Sequence, residues 1–271
     1  MKNFLYILVI LNFFLSCKSN TKQTIKDSTT TIKPTVDKTQ DLIQKFKPAI
    51  EGMWVKTEYI DELGKTKSPL KSMPDGIVEM HFDTDSIKGD SLLVPVGWNN
   101  HEGGQFILKF QAGISGNSLK AYIGTDTSGG FHEIGISKLN KDTLLTLYHF
   151  DKQKKLIDKF YYKRIFNKVG DGDATHYVVN KQTIAGKYVL KDSLGKLSVV
   201  SFYNEGNVTG FQKFKTYSLA IDFNTPPSNL DEIFFDSDEY SNKGISYSFR
   251  FIRDTLNLYQ TSLDKDSVDL M

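Results

Sequence analysis

Ile50-Glu51-Gly52-Met53-Trp54-Val55 and Ile184-Ala185-Gly186-Lys187-Tyr188-Val189-Leu190 share one pattern: an apolar residue, a spacer, a glycine, a spacer, an aromatic ring and a branched side chain. Each copy opens a run of short segments in which apolar and polar residues alternate, with Gly, Asp, Asn and Ser between them. A period of two belongs to a strand with one buried face. Evenly spaced strands of this kind describe an antiparallel meander, closed as a barrel or folded as a sandwich. The expected fold class is all-β: two consecutive meander units, the second smaller and related, with one short N-terminal helix.

In the first unit, residues 41–170, strands are expected at 53–60, 76–83, 90–97, 104–112, 117–123, 130–138, 143–150 and 157–165. In the second, residues 184–271, they are expected at 187–191, 197–204, 207–213, 216–223, 231–236, 244–252, 255–261 and 266–270. Turn clusters such as Asp83-Thr84-Asp85, Ser115-Gly116-Asn117 and Thr127-Ser128-Gly129-Gly130 punctuate them. Gly170-Asp171-Gly172-Asp173 opens a linker over 171–183. Ahead of the first unit, Leu42, Ile43 and Phe46 share a helical face until Pro48 forbids continuation, so a helix over 41–47 is expected to plug the unit that begins at Gly52. Lys141-Asp142-Thr143-Leu144-Leu145 resembles Arg253-Asp254-Thr255-Leu256 but gains one residue. Internal duplication and the reuse of Asp-Thr-Leu where a turn becomes a strand both account for that match.

Lys plus Arg number 34 and Asp plus Glu 32, a formal charge of +2, which offers no field for a nucleic acid. The single cysteine, Cys17, stands where a hydrophobic leader ends. Met1-Lys2-Asn3 is a short basic start, and 4–15 is apolar except for Asn12, too short to span a bilayer and of the length of a secretory signal. Phe14-Leu15-Ser16-Cys17 resembles the lipobox of bacterial lipoproteins. That resemblance implies cleavage after residue 16, diacylglyceryl and palmitate attachment to Cys17, and membrane anchoring without a transmembrane helix. Residues 18–40, rich in Thr, Lys and Ser, are too polar to offset their ordering entropy and are expected to form a flexible tether reaching about 25 to 30 Å. The periplasmic face of an outer membrane is the expected location.

The opening at Gly52 and Trp54, a short helix before it and about eight meandering strands after it resemble the lipocalin and calycin barrels. The resemblance implies that Trp54 packs across a barrel floor, that Gly186 and Tyr188 echo the same opening, and that a cavity takes a small apolar or amphipathic ligand. The arginine that covers this tryptophan in the family has no assignable counterpart in the sequence. Trp54, Trp98 in its glycine-rich surroundings, and His132 are the candidate ligand contacts.

Catalytic spacings are missing. His101-Glu102 and His132-Glu133 have Gln105 and Ile136 where a zinc helix needs its second histidine. Asp83-Thr84-Asp85 and Asp171-Gly172-Asp173 lose the calcium-loop pattern within a few residues. Gly113-Ile114-Ser115-Gly116 places its second glycine one residue early for a nucleophile elbow. No metal or cofactor is expected. The reading is a non-enzymatic, lipid-anchored envelope module that binds a small ligand or an envelope protein. Two alternatives are a lipid or glycan hydrolase with carboxylates at a barrel mouth and a structural subunit of an envelope complex.

Overall fold

The computed structural model describes residues 38–98, 102–124, 129–139, 142–191, 194–223, 230–237, 245–261 and 268–270; Cys17, the expected leader, the expected tether as far as residue 37 and His101 lie outside these. Helix α1 (Lys38–Ile50) buries Phe46 and Ile50, four residues apart on one face, and rests Leu42 and Ile43 against the same cluster. It begins at Lys38, inside the stretch expected to be tether, and runs three residues past the expected stop. Pro48 removes one donor near the end of the helix, where little of the ladder remains to break, and Glu51 N still reaches Lys47 O at 3.2 Å. Burial of Ile50 favours the extra turn.

Strand β1 (Gly52–Lys56) follows at once. Gly52 has φ +111°, and a Cβ there would lie 2.3 Å from the Phe166 carbonyl oxygen, so only glycine lets the two strands meet. The expected strand over 53–60 ends early. Tyr59 and Leu63 recur at helical spacing and are both buried, and the chain turns at Lys56 into α2 (Thr57–Thr66). β2 (Ile77–Phe82), β3 (Ser91–Trp98), β4 (Glu102–Ala112), β5 (Ser118–Tyr122), β6 (Phe131–Leu139), β7 (Asp142–Phe150) and β8 (Leu156–Phe166) then pair antiparallel in sequence order. β8 returns to β1, closing an eight-stranded barrel of the lipocalin-like kind.

Alternation sends Trp54, Met80, Phe82, Leu92, Phe106 and Leu108 into the barrel, where α1 stops one end with Phe46 and Ile50. On β1 the opposite face is buried too: Met53 and Val55 point outward beneath α2 and α3 (Ala174–Gln182). α3 occupies the junction where the sequence shows a turn cluster and a brief apolar return. Its Ala174, Val178 and Val179 join the outer face of β1 to Phe202, Tyr217 and Phe235 in one continuous apolar cluster. The barrel and the second unit therefore share a core.

The second unit contains β9 (Gly186–Lys191), β10 (Leu197–Phe202), β11 (Val208–Thr209), β12 (Thr216–Leu219), β13 (Glu232–Asp236), β14 (Ile245–Ile252), β15 (Thr255–Thr261) and β16 (Val268–Leu270). It is again a meander, but it divides into a three-stranded and a five-stranded sheet, linked by the bridge between Asn207 and Thr216, and no pairing of β9 with β16 closes it among the described residues. Its centre is aromatic. Phe235 lies 4.9 Å from Phe211, 5.2 Å from Phe214 and 5.9 Å from Tyr247, centroid to centroid. Such pairs contribute about 0.5 to 1.5 kcal/mol each beyond the area they bury.

Polar contacts fasten α3 to the barrel wall. Thr175 Oγ1 donates to Glu79 on β2, and the His81 ring meets the same carboxylate. Asp173 caps α3 by accepting from His176 N at 2.8 Å, and its second oxygen lies 2.9 Å from His176 Nδ1. That hydrogen bond raises the His176 pKa above its ordinary 6.5, against the lowering effect of burial. Burial pulls Asp173 upward, but the bond and charge of His176 leave it below its ordinary value.

A raised histidine pKa stabilises the fold fully below the unfolded value and loses that contribution as pH climbs through the folded one. The depressed aspartate contributes only above its own unfolded value. His176→Gln is therefore expected to lower the urea midpoint most near pH 5 to 6 and least above pH 8. Equal loss at both ends would show that the pair does not titrate as the geometry implies. Trp54→Ala, which empties the barrel floor, is expected to cost about 3 to 5 kcal/mol in the same assay.

Candidate functional site

β1 places Trp54 and Lys56 on the barrel's inner face, Lys56 one rung nearer the end opposite α1. There the barrel holds a cavity of about 550 Å³, walled by Ile77, Trp98, Ile123, His132, Leu147 and Phe160 and roofed by residues 57–76. Lys56 is the buried cation in this wall. Its Nζ sits 4.4 Å from the Phe160 ring centroid, donates to the Asp75 carbonyl at 2.9 Å and lies 3.8 Å from the Glu58 carboxylate. A buried ammonium is tolerated only with such partners. Tyr162 donates to the Ile77 carbonyl at 2.9 Å, and burial pushes its phenol far up, so it serves as a neutral donor.

Trp98 ends β3 over Gly104 on β4. A Cβ at Gly104 would stand 2.5 Å from the indole Nε1, so the missing side chain lets the ring fold across the strand and still border the cavity. His132 on β6 stacks on His149 of β7, ring centroids 4.5 Å apart and 12° from parallel, and His149 Nδ1 lies 3.8 Å from Asp158 of β8. The register pairs these three residues across adjacent strands, forming one polar rung at the mouth.

Of the candidates read from the sequence, Trp98 and His132 come together on this cavity. Trp54 does not line it: the indole is fully buried deeper in the barrel and donates to the Ile50 carbonyl at 2.7 Å. Over that ring lies Arg164, its guanidinium carbon 4.6 Å from the centroid, in register with Trp54 and donating to the Ala49 carbonyl. The sequence did not reveal this contact of Arg164 with the Trp54 ring. Its signal was the alternation Phe160, Tyr162, Arg164, which puts a cation on an inward-facing rung.

His132 and Glu133 part company because neighbours on a strand face opposite ways. Glu133 accepts from Ile114 N at 2.7 Å, Ser118 Oγ at 2.7 Å and Ser115 Oγ at 3.0 Å, pinning the β4–β5 turn. Gly113 belongs to that arrangement, since a Cβ there would lie 2.4 Å from the Glu133 carboxylate. Among the described residues no group of three or more His, Cys, Asp or Glu side chains is placed to hold a metal ion. The carboxylates at the cavity, Glu58, Glu62 and Asp75, all come from the roof.

The roof is held from outside the barrel. Asp231, beside β13, accepts from the Leu70 amide at 2.9 Å and from Ser68 Oγ, while Lys67 donates to the Gln182 carbonyl of α3 at 2.6 Å. Burial raises the Asp231 carboxyl above the ordinary carboxylate value, and those hydrogen bonds oppose the rise. Comparison of the chain with known protein families, with characterised proteins and with solved structures finds no match.

Asp231→Ala leaves the Leu70 amide and the Ser68 hydroxyl without their acceptor. Amide exchange over residues 66–72 is expected to accelerate roughly tenfold or more, the equivalent of about 1 to 3 kcal/mol of lost hydrogen bonding, while β3 and β4 keep their protection. Unchanged exchange in the roof would mean that Asp231 does not hold it.

Proposed function

We propose that this protein is a lipid-anchored module of the cell envelope, acylated at Cys17, which takes a small apolar or amphipathic molecule into the mouth of its barrel. One observation carries the binding reading: a barrel stopped by α1 at one end keeps a cavity of about 550 Å³ at the other, with aromatic and aliphatic barrel walls beneath a roof that carries charged side chains. That is the size of small-molecule sites. The lone cysteine after an apolar leader supports the anchor. No helix among the described residues is long and apolar enough to cross a membrane. The periplasmic face of an outer membrane fits this anchor, and the ligand would be drawn from the adjoining lipid or from the aqueous envelope.

Lys56 gives the cavity a preference. Its ammonium is buried beside the ligand space, held by the Phe160 ring and the Asp75 carbonyl, with the solvent-exposed Glu58 carboxylate at 3.8 Å, so an anionic group on the ligand would gain a charge-assisted partner. The test titrates the full chain with anilinonaphthalene sulfonate and with the uncharged phenylnaphthylamine. Both are expected to bind saturably, and Ile123→Trp, which fills the cavity, is expected to abolish both. Lys56→Met is expected to weaken the sulfonate about tenfold and the neutral probe little. Binding that is unsaturable, or indifferent to Ile123→Trp, would overturn the assignment of this cavity. Mass spectrometry finding Cys17 unmodified in the mature protein would overturn the anchor.

A further inference from the structure

We propose that the β9–β10 hairpin is a peripheral docking element for an anionic lipid surface, distinct from the barrel cavity. The hairpin has two unlike faces. Inward, Val200 and Phe202 are buried, and Tyr188 meets Phe202 edge-on at 5.6 Å. Outward, Val189 and Val199 are cross-strand partners and remain 70% and 60% exposed. Leu197, on the same face, is 64% exposed, and Leu194 in the turn is 93% exposed. A sheet face open to water normally carries polar side chains. Four aliphatic residues along one projecting hairpin mark a surface that something covers.

Charge decides the occupant. Lys187 and Lys191 flank Val189 two residues away on either side, so strand alternation puts them on the apolar face. Over residues 186–199 the sequence carries three lysines and one acidic residue, Asp192. Lysine stems lie along apolar surface while their ammonium groups reach outward. Lysines interleaved with aliphatic residues on one face complement the phosphates and acyl boundary of an anionic leaflet. The projecting Leu194 suits a deformable phase. The strands have six residues each, short of the roughly 9 to 11 that a membrane-crossing strand needs, so the hairpin lies in the interface and does not span.

The test uses the full chain in phosphatidylcholine vesicles with and without phosphatidylglycerol. Leu194→Trp reports the tip, with the unsubstituted protein giving the background of Trp54 and Trp98. Expected are a blue-shifted emission and quenching by lipids brominated on their acyl chains, both requiring phosphatidylglycerol. Replacing Lys187 and Lys191 together by Ser is expected to lower the hairpin's membrane equilibrium constant roughly 10- to 30-fold. Leu194 and both lysines are exposed, so these variants keep the fold, which circular dichroism confirms. Emission unchanged by vesicles overturns the proposal. A shift that follows protein concentration and ignores lipid overturns it in favour of a second copy of the chain as occupant. Neither outcome bears on probe binding in the barrel, which is read separately.

Discussion

Closure of the barrel at β1 is the constraint on which the rest of the structure depends. A five-residue strand must hydrogen-bond on both edges, to β2 and to β8, while burying side chains on both faces. Gly52 allows the approach to Phe166, and the register slips by a bulge between Met53 and Trp54. Trp54 then fills the floor, with Arg164 across its ring. The guanidinium ties β8 to the end of α1 through the Ala49 carbonyl, and the indole ties β1 to the same helix through Ile50. Plug, first strand and last strand are thus locked around one aromatic ring, and the opposite end is left to hold the cavity.

The outer face of β1 explains why the second unit belongs to the same folding unit. Met53 and Val55 cannot face water without exposing large apolar area, and what covers them is α2, α3 and, through them, the aromatic sheets. The same elements reach the mouth. α2 continues into the roof, Lys67 fastens its end to α3, and Asp231 fastens Ser68 and Leu70 to the second unit. The core that covers β1 and the clasp that holds the roof are therefore one connected body, which couples the cavity's access to packing well away from it.

Alternation and turn chemistry carried most of the fold. Segments such as 143–150 and 255–261 announce themselves because a turn cluster precedes a short run rich in Thr, Leu and Tyr, and they appear as β7 and β15. α2 escaped notice because its first residues, Thr57 to Ile60, read as the end of the strand that begins at Met53. Only tertiary burial selects the helical period there. The site was less legible. Trp98 and His132 are far apart in sequence and meet because β3 and β6 both reach the mouth, and the roles of Arg164 and Asp231 depend on register and on contacts between units that no local spacing encodes.

The two glycine openings show how one motif serves two ends. Gly52 is hemmed in by the returning last strand, whereas a Cβ at Gly186 would meet only Tyr188 and the Ile184 carbonyl at ordinary contact distances. Among the described residues β16, the last strand, does not pair with β9, so the second meander stays open. An unclosed meander cannot enclose a cavity of the barrel's kind. What it has are free faces: one is spent on the shared core, and the β9–β10 hairpin projects another outward. The difference between a container and a scaffold in this chain thus comes down to whether the last strand reaches the first.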